Sequence, residues 1–227
     1  MKTINPDQIL TLIPARSESQ RIKKKNIIQC AGQPLIAWTI QSALNSSFVN
    51  ECYITTNCEE IAEISKKYNA KVPFLRPEKL SGNQSTTIDA IKHFLDQIQK
   101  KYEYILLLQP TSPLRRAEDI NNAITQFLNS DADSIVSITE MDPHVNWKIT
   151  FNEKNKITSS HDRKKLSQDF IKQYILNGAI FFGKISYVLK NNGFLGENTT
   201  IYKMDREKSV DIDNITDLKF AEYLIQN

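Results

Sequence analysis

Two rhythms of apolar residues alternate along this chain. Ile9–Pro14 and Ile105–Leu108 are nearly continuous apolar runs, the pattern of strands buried on both faces. Glu51–Thr56, Lys71–Leu75, Asp133–Thr139, Ala179–Phe182 and Thr200–Met204 read as further strands. Between them the spacing becomes helical. Pro34–Leu44 puts Leu35, Ile36, Trp38, Thr39, Ile40 and Ala43 on one stripe. Cys58–Tyr68 is amphipathic, with acids early and lysines late, which suits the helix dipole. Ser85–Lys101, Ala117–Leu128, a short Tyr187–Asn191 and a closing Asn214–Ile225 complete the helices. Strand and helix alternate through residue 140, which predicts an α/β fold with a doubly wound, mostly parallel sheet.

From 141 to 173 the rhythm fails. Val145, Trp147, Ile149 and Phe151 alternate with polar residues, and Asn152–Asn155 reads as a turn. This predicts a hairpin followed by the charged run His161–Lys165, an excursion from the sheet of the kind that covers a site or contacts a partner subunit. The 227 residues are therefore read as a single domain, 1–227, with 141–173 inserted in it.

Composition narrows the classes. Lys and Arg number 29 against 26 Asp and Glu, a net charge of +3 with the signs mixed along the chain. That is too small an excess for a nucleic-acid binder. The basic run Arg21-Ile-Lys-Lys-Lys25 lacks the interleaved aromatics of an RNA-binding surface. No apolar run approaches the roughly 20 residues needed to span a bilayer, and Met1–Gln8 lacks the apolar centre of a signal peptide. The expectation is a cytoplasmic protein with no membrane partner. Cys30, Cys52 and Cys58 show no C-x-x-C spacing and read as reduced, small apolar filler.

Four segments carry candidate chemistry. In Leu106–Arg115 an apolar strand breaks into a turn stiffened by Pro110 and Pro113, which presents Gln109, Thr111, Ser112 and Arg115. After the first strand, Arg16, Arg21, Lys23, Lys24 and Lys25 stand with Ser17 and Ser19 in a loop without glycine, so it is neither a Walker nor a dinucleotide motif. Such a composition also suits a solvated basic loop, but its place after a first α/β strand favours phosphate binding. In Ser209–Asn214, Asp211 and Asp213 alternate so that both would face one side of a strand end, as carboxylates for Mg²⁺. Asp213 or Asn214 would equally serve as the cap of the last helix. Ser81–Thr87 offers a capping box from Thr86 to Asp89, or a polar loop for base or ribose.

With these segments in hand, the chain resembles the acylneuraminate cytidylyltransferases over almost its whole length. The matching segments are Ile13–Ser17, Lys25-Asn26, Gly32–Ile36, Glu59–Glu63, Val72–Pro77, Leu108–Arg115, Asn177–Ile180 and Ser209–Asp213. The resemblance implies the Rossmann-like nucleotide-diphospho-sugar transferase fold, a homodimer built through 141–173, and transfer of CMP from CTP to the C2 hydroxyl of a nonulosonic acid. It implies Mg²⁺ on Asp211 and Asp213, and Arg16, Lys25 and Asp211 as the catalytic groups. Nucleotide contacts would come from Ala15, Arg16, Ser19, Asn26, Arg76, Ser85 and Thr87. The sugar would meet Gln109, Thr111, Ser112, Gln168, Asn177, Phe181 and Phe194.

The departures from the family's pattern are specific. Glu18 and Arg21 stand where similar sequences usually carry glycine, and Gln20 replaces a lysine. Asn57 and Asn83 replace aspartates. Ile175-Leu176, Ser167, Phe181 and Phe194-Leu195 make the sugar side less cationic and more apolar. They point to a deoxy, diacylated acceptor such as legionaminate rather than N-acetylneuraminate. The rival readings are a cytidylyltransferase for 3-deoxy-manno-octulosonate and a CTP-binding protein without turnover.

Overall fold

The computed structural model describes residues 3–19, 21–82, 84–142, 149–160 and 171–227. The elements run β1 (Ile9–Pro14), β2 (Gln29–Cys30), β3 (Gln33–Pro34), α1 (Leu35–Leu44), β4 (Cys52–Thr55), α2 (Glu59–Lys67), α3 (Thr87–Gln97), β5 (Tyr104–Leu107), α4 (Ala117–Leu128), β6 (Ser134–Glu140), β7 (Ile149–Phe151), β8 (Ile157–Ser160), β9 (Tyr174–Lys184), α5 (Ile185–Lys190), β10 (Thr199–Lys203) and α6 (Ile215–Gln226). Six strands form the main sheet in the order β10-β6-β9-β5-β1-β4. β1 runs parallel to β4 and β5, and β10 runs parallel to β6. β9 alone is antiparallel to both its neighbours.

The sheet is buried on both faces, which explains why its strands lack alternation. On one face Ile36 and Ile40 of α1, Ile61 of α2 and Ile120, Ile124 and Phe127 of α4 pack against Ile9, Ile13, Leu106 and Phe182. On the other, Ile88, Ile91 and Phe94 of α3 and Val188 of α5 pack on Leu10, Leu12, Ile105 and Leu107. A third, smaller cluster joins Leu218 and Ala221 of α6 to Cys30, Leu35, Ile212 and Ile22. Ile22 therefore anchors the basic loop to the segment that carries Asp211 and Asp213.

Three expectations are corrected. Lys71–Leu75 is not a strand. Lys71 makes one bridge to Tyr53, its N–H bonding Cys52 O at 2.8 Å, and Pro73 then lacks the N–H needed to continue a ladder. Ser209–Asn214 is not a strand end either. Asp211 and Asp213 still flank the buried Ile212, whose N–H bonds Thr111 O at 2.9 Å. Asn214 is the cap of α6, accepting from Thr216 N and Asp217 N. Finally, the apolar strand at Ala179–Phe182 is the inner part of an eleven-residue strand. The hairpin is present as β7 and β8, paired apart from the main sheet. The rest of its predicted first arm and the run His161–Lys165 lie outside the described residues.

β9 is bulged where it carries Asn177-Gly-Ala-Ile180. Val136 pairs Phe181 and Ile138 pairs Leu176, so residues 177–180 of β9 face the single Ser137 of β6. Ser137 Oγ donates to Asn177 Oδ1 at 2.6 Å, and accepts from Ile180 N at 2.7 Å. Gly178 takes φ +74° there, the left-handed region that favours glycine.

Candidate active site

The C-terminal ends of β1 and β5 open into a cleft of about 420 Å³. This is the crevice where open α/β sheets bind ligands. Arg16, Glu18, Ser19, Arg21, Lys25 and Asn26 line it from the loop after β1. Arg76 and Ser81–Gly82 form another wall, with Ser85, Thr86 and Thr87 at the start of α3. Gln109, Pro110 and Thr111 come from the turn after β5, and Asp211 and Asp213 close the far side.

The loop after β1 is shaped by side chains. Asn26 Nδ2 donates to Arg16 O at 2.9 Å, and Ser17 N donates to Asn57 Oδ1 at 2.9 Å. Lys24 supplies the left-handed residue, φ 53°, that a glycine would usually provide. Asn57 Nδ2 also donates to Ser17 Oγ at 2.8 Å and to both oxygens of Glu78 at 3.0 and 3.1 Å. Asn57 thereby staples the basic loop to the loop that carries Arg76. Only its departure from the usual aspartate marked it in the sequence; its bridging role depends on Glu78, twenty-one residues away.

Cations face the cleft. Arg16 donates to Gly82 O at 3.2 Å. Arg76 is buried, its Nε donating to Ser81 Oγ at 3.0 Å. Burial, and then the neighbouring Arg16, hold the Arg76 guanidinium below its usual range. Two guanidiniums close enough to repel form a place for an anion. Lys25 Nζ reaches Ile212 O at 3.0 Å and Asp213 Oδ1 at 3.2 Å.

The carboxylates differ. Asp211 is pushed up, first by desolvation and then by Asp213 and Asp217, against the Thr111 hydroxyl and Lys25. Desolvation also opposes ionisation of Asp213, but Lys25 and Arg21 outweigh it and leave that carboxyl below its ordinary value. Crowded carboxylates of which one resists ionisation suit a bound cation. Asp211 and Asp213 thus fit a divalent ion by donor chemistry, although both oxygens of Asp213 already meet a cation: Arg21 at 2.7 Å and Lys25 at 3.2 Å.

Several expected site residues lie elsewhere. Ala15 is buried and its N–H is spent on Thr55 O at 3.0 Å. Ser112 is fully buried behind the turn and does not line the cleft. Asn177 closes the β9 bulge and donates to Ser209 Oγ at 2.9 Å, so it supports the segment leading to Asp211. Phe181 and Phe194 pack with ring centroids 5.5 Å apart, tilted by 46°, within the core under α3 and α5. Gln168 lies outside the described residues. Ser85 and Thr86 do line the cleft; Ser85 Oγ donates to Lys79 O, and Thr86 caps α3 through the expected box with Asp89. Arg115 is fully buried, donating to Ala179 O at 2.9 Å and Ser42 Oγ at 3.3 Å, which pins the turn to β9 and α1. Burial pushes Cys30 up to about 11 and Cys52 up to about 12, so neither is a thiolate nucleophile at neutral pH.

The chain is 32% identical over 220 residues to a pseudaminic acid cytidylyltransferase of Campylobacter jejuni, covering 95% of each. It is 32% identical to the CMP-N,N'-diacetyllegionaminic acid synthase of Legionella pneumophila, covering 96% of this chain and 97% of that one. An N-acylneuraminate cytidylyltransferase of Escherichia coli is also 32% identical, and there the chain spans about half of the relative's length (51%). Among solved structures, a CMP:2-keto-3-deoxy-manno-octonic acid synthetase complexed with CTP superposes with a TM-score of 0.72 at 13% identity, covering 96% of this chain and 98% of that one. That likeness is one of fold. A sequence model of the cytidylyltransferase family matches residues 10–227, and the chain belongs to that family of nucleotidyltransferases.

Proposed function

We propose that this enzyme transfers CMP from CTP to the C2 hydroxyl of a nonulosonic acid and releases pyrophosphate. The observation that carries the reading is the single cleft in which Arg16, Lys25 and Arg76 oppose Asp211 and Asp213, with Gln109 and Thr111 on the wall between. Arg16 and Arg76 would hold the triphosphate, and Lys25 would neutralise charge growing on the leaving phosphates. Thr87 and Ser85 would face the nucleoside, and Gln109 would orient the acceptor. Asp211 and Asp213 would hold Mg²⁺, whose contribution when bound is further neutralisation of phosphate charge. No covalent intermediate on the protein is required.

The relatives named for diacetyllegionaminic and pseudaminic acids cover nearly the full length of both chains. They support an acceptor of that type. Of the departures on the sugar side, Ile175 and Leu176 remain as exposed apolar residues, and Phe181 and Phe194 do not contribute. Ile175 and Leu176 do not line the cleft either, so the acceptor reading rests on the relatives.

A homodimer belongs to the same reading. Ile149, Phe151 and Ile157 of the hairpin and Ile175 and Leu176 of β9 expose more apolar surface than a monomer usually leaves in water. No helix among the described residues is long and apolar enough to cross a membrane. We assign the reaction to the cytoplasm.

The test is pyrophosphate release from CTP and Mg²⁺ with legionaminate, pseudaminate, N-acetylneuraminate and 3-deoxy-manno-octulosonate. Release with a nonulosonate is expected, and legionaminate or pseudaminate should exceed N-acetylneuraminate. Turnover of the octulosonate alone would replace this reading. Silence with CTP still bound would favour a binding protein.

A further inference from the structure

Asp213 is held by two cations of different character. Lys25 is largely buried, its side chain 17% exposed, and has a second anchor on Ile212 O. Arg21 is 65% exposed, and Asp213 is its ion-pair partner at 2.7 Å. Ile22 sits in the third core cluster beside Ile212, so the backbone at Arg21 is fixed close to Asp213 while the guanidinium remains in water. An exposed pair of this kind is weak and exchangeable.

A divalent ion using both Asp211 and Asp213 needs an oxygen of Asp213, and these are met by Arg21 and Lys25. Lys25, buried and doubly bonded, is costly to move. Arg21 is not. A bare ion must displace Arg21 with few other ligands in return. An ion arriving with a triphosphate brings phosphate oxygens of its own, and gives the released guanidinium an anion to bind.

We propose that Arg21 is a displaceable counter-ion: its pair with Asp213 closes that carboxylate to a divalent ion arriving alone, and the guanidinium moves to the phosphates when the ion enters with nucleotide. This rests on the reading above that Asp211 and Asp213 hold the metal. Arg21 is then a positioning residue that couples metal entry to CTP entry. Glu18, exposed on the same cleft wall, has no ion-pair partner among the described residues and adds to the need for a cation at the rim.

The experiment is binding of Mn²⁺ alone, followed by the free-ion paramagnetic resonance signal, for the wild type, Arg21→Ala, Asp211→Asn and Asp213→Asn. Thermal melts check that each variant folds. Arg21→Ala should bind Mn²⁺ about two- to five-fold more tightly, the range an exposed ion pair allows. The same variant should show a higher KM for CTP, because the phosphates lose a partner. Equal or weaker Mn²⁺ binding by Arg21→Ala, with binding lost in Asp213→Asn, overturns the counter-ion role and leaves the metal assignment standing. Wild-type Mn²⁺ binding in both aspartate variants overturns the metal assignment and this inference with it. Absence of Mn²⁺ binding to both the wild type and Arg21→Ala also overturns the inference.

Discussion

Gly178 joins the β9 bulge to the sugar side of the cleft, and its replacement by alanine separates a backbone effect from a functional one. Gly178 has φ +74°, and a Cβ built there would lie 2.6 Å from Gln109 Oε1 and 4.0 Å from Ser112 Oγ. The left-handed backbone alone costs an alanine about 1–2 kcal/mol. The contact with Gln109 is with the far end of a flexible side chain, so rotation of Gln109 relieves it at little cost in stability. Under the proposed function, Gln109 then no longer presents its carboxamide to the acceptor. A hydrogen bond of about 1 kcal/mol is lost, which raises the KM for the sugar acid about five-fold and leaves the KM for CTP unchanged. The assay is a double-mutant cycle with Gln109→Ala, read by steady-state kinetics and urea unfolding. Gly178→Ala should reproduce the sugar KM of Gln109→Ala, and the double variant should be no worse. In urea the backbone cost should be the same in both backgrounds. Multiplicative increases in sugar KM, or a rise in the KM for CTP as large as that for sugar, would refute the reasoning.

Three other outcomes follow, two from contacts of the cleft and one from the opposite end of the sheet. Arg76→Lys keeps the charge but cannot both bond Ser81 Oγ and present a planar fork; the KM for CTP should rise about 10- to 100-fold, the loss of one charge-assisted bond, with the sugar KM unchanged. Asn57→Asp removes the donor to Glu78 and sets two carboxylates together; the KM for CTP should rise, and Glu78→Gln in the same chain should restore it, whereas failure of that rescue removes the staple from the argument. Glu51 is held below its ordinary value by the Lys71 ammonium and the Tyr53 hydroxyl. Its contribution to stability is therefore present above the unfolded value near about 4.3 and lost as pH falls through the lowered folded value. Glu51→Gln should lose less stability than the wild type between about pH 6 and pH 3, and parallel urea curves would contradict this.

The layers were legible because both faces of the sheet are buried. Ile9–Pro14, Ala117–Leu128 and the helices between them follow from apolar continuity and helical spacing, and their bounds agree with the structure to within a few residues. β9 was legible only at its core. Tyr174, Ile175 and Leu176 are exposed, and the bulge at 177–180 breaks the period of two on which strand reading depends. The site was legible as three loops because each follows an element end. Which side chains turn inward was not. Ser112 and Asn177 belong to matching motifs, and Phe181 and Phe194 stand where the chain departs from the family's pattern, yet the structure spends all four on packing and on the bulge. Local sequence holds no signal for this, since their partners, Ser137, Ser209 and Leu107, come from other strands and loops.

The loop after β1 explains how phosphate chemistry survives without glycines. A glycine-rich loop offers bare backbone N–H groups to the anion. Here the N–H of Ser17 goes to Asn57, the N–H of Ala15 goes to Thr55, and the carbonyl of Arg16 goes to Asn26. The start of the loop is held in place by these bonds. Positive side chains also line the cleft to meet an anion: Arg16, Lys25 and Arg76, with Arg21 at the rim. Positive charge carried by long side chains at a partly open cleft is screened by salt more readily than a buried nest of amides. Glu18 and Arg21, at the places where similar sequences carry glycine, both stand on the cleft wall, where Arg21 pairs with Asp213. Asn26 and Asn57 hold the start of the loop in the shape that aims the cations.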